Sequence, residues 1–168
     1  MATSVKAIAT VEVGAGGAAS IEFTSIPADW SDLLVVLSGR SNTIHSSDGA
    51  YCLIEFNGST ANLSNRYLLN NEGTPVSGSS ASNIVAFSSA SNFSGFSNIQ
   101  WYIPNYAGSA NKSVSVDAVT ENNSTTYYSI LTAGLWSNSA AITSIKLNPI
   151  SPAQFAQYST ATLYGIKG

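Results

Sequence analysis

Charged residues are scarce in this sequence. Only 9% of the 168 residues are Asp, Glu, Lys or Arg, and the net charge is -3 with a pI near 4.8. The few basic residues are scattered singly along the chain. A nucleic-acid binder needs a basic stripe that neutralises phosphates, and docking on anionic lipid needs clustered Lys and Arg. The composition therefore argues against nucleic acid and against a membrane surface as partners.

Cysteine and histidine are nearly absent, with one of each. Cys52 has no partner for an intrachain disulfide, and it lies in the apolar alternation of YCLIEF, where a small buried hydrophobe fits. One His and one Cys exclude the common zinc sets. His45 lies beside Ser46, Ser47 and Asp48, and neighbours on one short turn cannot converge as a nucleophilic triad. We therefore expect no catalytic residues and no enzyme activity.

Two further patterns fall short of a ligand site. Asp29 with Asp32, and Asp117 with Glu121, offer carboxylates for calcium, but neither pair has the dense oxygen spacing of a calcium loop. The stretch VEVGAGGAASIEF contains G-x-G-x-x-A, the opening of a dinucleotide-binding loop. A second strand follows these glycines, where a phosphate site requires a helix. We expect a hairpin loop there, and neither a metal nor a cofactor.

Long apolar segments are also lacking. The N-terminal stretch MATSVKAIATVEV has no apolar signal-peptide core, and no segment approaches the roughly 18 apolar residues of a membrane span. The sequence therefore predicts a chain that is made in a cytosol and is not exported by the usual signal.

Short runs with period-two alternation recur along the chain, bounded by Gly, Asn, Ser and Pro. They predict one all-β domain over 1–168, a β-sandwich of two antiparallel sheets with about ten strands and a jelly roll as its favoured form. Residues 1–18 are expected to form an N-terminal arm or the first strand of a hairpin. The predicted strands lie near 5–13, 19–26, 33–39, 51–56, 84–88, 97–106, 113–120, 126–136, 142–148 and 159–166.

Two of these strands, DLLVVLSG and TYYSILTAGLW, are apolar on both faces. A sandwich normally leaves one face of each strand to water, so a second apolar face predicts another surface that covers it. We interpret this as a candidate subunit interface, formed by Leu34, Val36, Tyr128, Ile130 and Trp136. The alternative cover is a loop of the same chain, and 58–83 is predicted to be a loop long enough for that role.

Exposed aromatic rings are a further candidate surface, because a ring face can stack on a pyranose. Alternation in NIQWYIPNY puts Ile99, Trp101 and Ile103 together on the inner side of a strand. Tyr102 and Tyr106 are left as a candidate carbohydrate or partner surface. The alternative interpretation of the aromatic residues is core packing plus subunit contact.

Four stretches cover most of the chain from about Ser20 onward: FTSIPADWSDLLVVLSGRSN, LIEFNGSTANLSNRYLL, WYIPNYAGSANKSVSVDAVTENNSTTYYSILTAGLWSNSAAITSIKL and FAQYSTATLYGIK. They resemble a family of virion structural proteins of tailed bacteriophages, including cyanophages. In that family the module occurs as a small capsid decoration (cement) protein or as the terminal domain of a tail fibre. The resemblance implies a jelly roll, often in homotrimers, and it brings no catalytic residues.

The resemblance implies one of two functions. A tail fibre needs an extended shaft before this module, and here the module begins within about twenty residues of Met1. We therefore expect a capsid decoration protein that stabilises the head by non-covalent bridging of capsid subunits. It would be synthesised in the host cytoplasm, lie on the capsid surface of the virion and bind the major capsid protein. The alternative is a tail-associated or tail-fibre receptor-binding module that recognises host-surface carbohydrate.

Overall fold

β-Strands dominate the computed structural model of the chain, which describes residues 4–43, 50–71, 73–80, 84–87, 95–121, 127–150 and 153–168. These residues form twelve strands and no helix. The strands are β1 (Ser4–Glu12), β2 (Ile21–Phe23), β3 (Asp32–Gly39), β4 (Ala50–Phe56), β5 (Leu63–Asn71), β6 (Thr74–Ser80), β7 (Ile84–Phe87), β8 (Ser97–Pro104), β9 (Lys112–Glu121), β10 (Tyr127–Trp136), β11 (Ile145–Pro149) and β12 (Thr160–Lys167).

The strands form two antiparallel sheets. The large sheet has the order β1-β12-β3-β8-β9-β10-β5-β6, and the small sheet has the order β2-β11-β4-β7. Four strand pairs are nested in the sequence: β1 with β12, β2 with β11, β3 with β8 and β4 with β7. A long antiparallel ribbon that wraps around a core produces this nesting, which is the jelly-roll topology. The predicted all-β sandwich is confirmed. The hairpin predicted around the N-terminal glycines is wrong, because β1 pairs with β12 and β2 pairs with β11 in the other sheet.

Four strands extend the large sheet beyond the jelly roll, in the order β9-β10-β5-β6. The predicted loop over 58–83 is wrong, because β5 and β6 form a hairpin within it. Its Asn, Ser, Gly and Pro residues are typical of loops, but an edge strand tolerates polar side chains and proline because one of its sides has no ladder partner. Gly73, with a φ of 85°, lies in the turn. The ring of Tyr67 covers Gly78, where an added Cβ would meet Tyr67 Cζ at 2.7 Å.

The core lies between the two sheets and also includes inward side chains of β9 and β10. Strict alternation buries Leu33, Val35 and Leu37 of β3, which belong to the same core cluster as Ile54 and Phe56 of β4. The predicted inward row of Ile99, Trp101 and Ile103 is confirmed, since all three are fully buried. Truncating a buried Leu or Ile to Ala typically costs about 2–5 kcal/mol, so alternation at these positions fixes the face that each strand presents.

Cys52 lies in this core and is fully buried, as predicted for a small hydrophobe. Burial raises the pKa of its thiol far above the ordinary value, which keeps the thiol protonated and unreactive.

Asn57 fastens the end of β4 to the segment that leads into β11. Its Oδ1 accepts hydrogen bonds from the backbone N–H groups of Thr143 at 2.8 Å and Ser144 at 3.1 Å. Its Nδ2 donates to the carbonyl of Ala141 at 2.8 Å. Asn57 also has a φ of 53°, in the left-handed region that Asn adopts more readily than most residues. One side chain therefore closes the small sheet at this end.

We expect Asn57→Ala to lower the free energy of unfolding by about 2–3 kcal/mol, because these hydrogen bonds and the left-handed backbone are both affected. Asn111→Ala is the matched control, since Asn111 is exposed and its side chain makes no hydrogen bond to another described residue. Urea unfolding of both variants measures the difference. Equal effects would contradict the role of Asn57.

Candidate contact face

The outer face of the extended sheet carries large apolar side chains that no other part of the described chain covers. Their exposed fractions are 57% for Leu131, 53% for Leu68, 48% for Val119 and 37% for Leu135. We call this surface the contact face and define it by ten of the outward residues of β5, β9 and β10: Arg66, Leu68, Ser113, Ser115, Asp117, Val119, Ser129, Leu131, Ala133 and Leu135. Isolated exposed hydrophobics are ordinary, but adjoining ones on one sheet face indicate a site of protein contact.

Strand register determines which of these side chains are neighbours. Leu131 on β10 lies between Asp117 on β9 and Leu68 on β5. In the next row, Ala133 lies between Ser115 and Arg66. Side chains directly opposite each other across a pair of strands are about 4.5–5.5 Å apart at Cβ. Along β10, a large side chain in one row is therefore followed by a small one in the next.

The small residues leave a depression in the contact face, with a volume of about 660 Å³. Its lining includes the small residues Ser113, Ser115 and Ala133 and the larger side chains of Tyr102 and Leu131. Arg66 also lines the depression and donates from Nη1 to the carbonyl of Asn65 at 2.9 Å. The depression is predominantly apolar, with hydroxyl groups and one guanidinium available for polar contacts.

Tyr102 stands on β8 beside this depression, and 39% of it is exposed. Its hydroxyl donates to Asp32 Oδ2 at 2.7 Å, and Asp32 Oδ1 accepts from the backbone N–H of Asn105 at 2.9 Å. The hydrogen bond to Asp32, then desolvation and the negative charge of Asp32, raise the pKa of Tyr102. Asp32, which was considered as a calcium ligand, therefore holds an aromatic ring in place.

Tyr106 does not belong to this surface, and its prediction as an exposed ring is wrong. It is fully buried, and its hydroxyl donates to the backbone carbonyl of Pro27. Burial is the main cause that raises the pKa of Tyr106. Strand β8 ends at Pro104, and Asn105 has a φ of 50°, so the chain turns and the alternation that exposes Tyr102 does not extend to Tyr106.

The predicted interface set divides between the two faces of the large sheet. Tyr128, Ile130 and Trp136 are at most 4% exposed and lie inside the chain, so their assignment to a subunit interface is wrong. Leu34 and Val36 are half-buried on the outer face of β3. On β10 both faces are apolar, and alternation alone does not say which one turns inward. The outward residues of β10 are Tyr127, Ser129, Leu131, Ala133 and Leu135.

Lys112 is the first residue of β9, and its side chain lies on the inner face of the sheet, opposite the contact face. Its side chain is buried, and its Nζ donates to the carbonyls of Gly108 at 2.7 Å, Ala110 at 2.6 Å and Asn138 at 3.3 Å. Nζ also lies 5.9 Å from the centre of the Trp136 ring. Desolvation lowers the pKa of Lys112. These carbonyls take up the donors of the ammonium group and tie β9 to the loops at one end of the sheet. No sequence signal pointed to this buried lysine.

Potential metal ligands do not cluster in the described part of the chain. No group of three or more His, Cys, Asp or Glu side chains there is arranged to hold a metal ion. His45, Ser46, Ser47 and Asp48, which were considered as a triad, lie outside the described residues. In the described ranges no helix is long and apolar enough to cross a membrane.

No known family model matches the chain, and comparisons with curated proteins and with solved structures found no match. The geometry of the contact face therefore carries the functional argument.

Substitution on the two faces of β10 tests their assignment. We expect Ile130→Asp to prevent stable folding, because it places a carboxylate among buried side chains, whereas Leu131→Asp should change the free energy of unfolding of the single subunit by less than about 1 kcal/mol. Circular dichroism and urea unfolding measure both. A folded Ile130→Asp variant and an unfolded Leu131→Asp variant would reverse the assignment.

Alkaline titration tests the link between Tyr102 and Asp32. Because the pKa of Tyr102 is raised in the folded state, its stabilising contribution is complete below pH ~10 and is lost as the pH rises through the raised value. Asp32→Asn should lower the pKa of Tyr102 towards the ordinary value. Tyrosinate absorbance measures this change, with Tyr102→Phe identifying the signal. An identical titration in wild type and Asp32→Asn would contradict the link.

Proposed function

We propose that the chain is a phage capsid decoration (cement) protein that stabilises the head by non-covalent bridging of capsid subunits. The contact face carries this proposal. Its exposed leucines and valine adjoin serine and alanine, and its charged groups are Arg66 and Asp117, with Glu121 beyond them at the end of β9. Such a surface suits permanent contact with another protein surface.

The binding free energy is expected to come mainly from burying apolar surface area. Fully burying one leucine side chain stabilises a contact by roughly 1.5–3 kcal/mol. The contact face offers Leu68, Leu131 and Leu135 for this purpose, together with Val119. The serine hydroxyls accept hydrogen bonds from a partner without the cost of desolvating ions. Repeated over a lattice, each such contact raises the free energy needed to separate shell subunits, and no chemical reaction is involved.

Tyr102 favours a second candidate function, a tail-associated or tail-fibre module that recognises host-surface carbohydrate. Its ring is exposed, it is held by Asp32, and it borders a depression with serine hydroxyls. Aromatic faces of this kind stack on pyranose rings. The other tyrosine predicted for this surface, Tyr106, is buried, so the carbohydrate candidate depends on one ring.

The partners follow from the resemblance to phage structural proteins and stay predictions. They are the major capsid protein and further copies of the chain, arranged as a homotrimer. The predicted location is the capsid surface of the virion.

Cryo-electron microscopy of the intact particle that carries this chain tests the proposal. We expect density for the sandwich at many equivalent positions over the capsid. Particles that lack the chain should release their genome at a lower temperature, and added wild-type protein should restore the heat resistance. Density at the tail alone, or unchanged heat resistance in its absence, would overturn the decoration function. Tail density would instead favour carbohydrate recognition.

A further inference from the structure

Outward side chains of β10 alternate regularly in size. After Tyr127, which begins the strand, they are Ser129, Leu131, Ala133 and Leu135, a small-large-small-large series. A two-fold axis that crosses β10 between Leu131 and Ala133, at right angles to the strand and parallel to the sheet, exchanges the positions of the series. It puts Leu131 over Ala133 of a second copy, and Leu135 over Ser129. Large side chains then meet small ones throughout, which is how packed layers interdigitate.

Strand β9 obeys the same symmetry. Asp117 is level with Leu131, and Ser115 is level with Ala133. The same axis therefore places Val119 over Ser113 of the second copy, and Asp117 over Ser115. The Ser115 hydroxyl is a suitable donor to the Asp117 carboxylate, and neither side chain has a hydrogen-bond partner among the described residues. On β5 the axis places Arg66 over Leu68, so no two like charges face each other.

In this arrangement, the depression in the contact face receives side chains of the second copy. Ala133 and Ser113 both line it, and they are the residues that would lie under Leu131 and Val119 of the second copy. A two-fold axis parallel to β10 is less favourable. It would place Leu131 on Leu131 and Ala133 on Ala133, which crowds one row and leaves a gap in the next.

We propose that two copies of the chain pair through their contact faces, about a two-fold axis that crosses β10 between Leu131 and Ala133. This inference rests on the proposed function in one respect, namely that the contact face binds protein, and it names the partner as a second copy. A two-fold contact is self-complementary because both subunits use the same patch. It can coexist with the predicted homotrimer, since three two-fold contacts join two trimers into a hexamer.

A charge substitution with a matched control gives the first test. Leu131→Asp puts a carboxylate at the centre of the pairing, whereas Val5→Asp makes a comparable change on the outer face of β1, at the far edge of the same sheet. The exposed fractions of the two residues are 57% and 58%. Sedimentation equilibrium of the purified full chain should show an even assembly for wild type and Val5→Asp. Leu131→Asp should weaken the association at least ~100-fold.

A size exchange gives the second test and adds no charge. Leu131→Ala leaves a gap opposite Ala133, and Ala133→Leu places leucine on leucine, so each should weaken the association about tenfold or more. The double variant exchanges the two sizes, and under this symmetry leucine again meets alanine. Its association should return close to the wild-type value. Circular dichroism confirms that each variant is folded.

Each outcome bears on the pairing separately from the capsid function. A monomeric wild type, a trimer that Leu131→Asp leaves unchanged, or a double variant weaker than both single ones would overturn the proposed pairing. Density over the capsid in cryo-electron microscopy would still support decoration in those cases. A dimer, or a hexamer that Leu131→Asp reduces to trimers, supports the pairing even where the particle shows the chain at its tail.

Discussion

The unequal width of the two sheets is the constraint on which the rest of the structure depends. The large sheet has eight strands and the small sheet has four. The small sheet covers the jelly-roll half of its partner, and β7 also lies against β8, β9 and β10. On the inner face of the extension, Trp136 lies in the core, Tyr67 packs against the core, and the Tyr67 ring covers Gly78 of β6. The outer face has no second layer in the described chain, and that is why Leu131 and Leu68 are exposed.

Polar side chains fix the ends of strands where alternation stops. Asn57, Tyr106 and Lys112 each donate to a backbone carbonyl of a separate segment, which for Lys112 is that of Asn138. Burying an ammonium group is costly unless its donors are satisfied, and Lys112 meets this condition with three carbonyls. These hydrogen bonds hold the ends of β4, β8 and β9 in place, so the contact face lies on a rigid support. A rigid surface loses less conformational entropy on association than a flexible one.

Low charge and exposed apolar area have a common consequence for function. A contact face with few ions gains stability mainly from buried area and shape, and depends only weakly on salt. In a shell, the many copies of one contact multiply a modest pairwise energy. The same absence of charge leaves little to steer a partner from a distance, so shape has to supply the specificity.

Period-two alternation in the sequence was sufficient to predict the fold class, most strands and the buried row around Trp101, because each core strand must turn one apolar face inward. It did not reveal β5 and β6, whose polar composition is typical of loops, because their pairing depends on the free edge of β10 that only the folded sheet provides. It placed Tyr128, Ile130 and Trp136 on the wrong face, since both faces of β10 are apolar. It also left Tyr106 exposed, although the turn at Asn105 buries it. The sequence by itself determined which residues alternate. The tertiary structure decided which face is inside, because that choice depends on what the other sheet and the neighbouring strands cover.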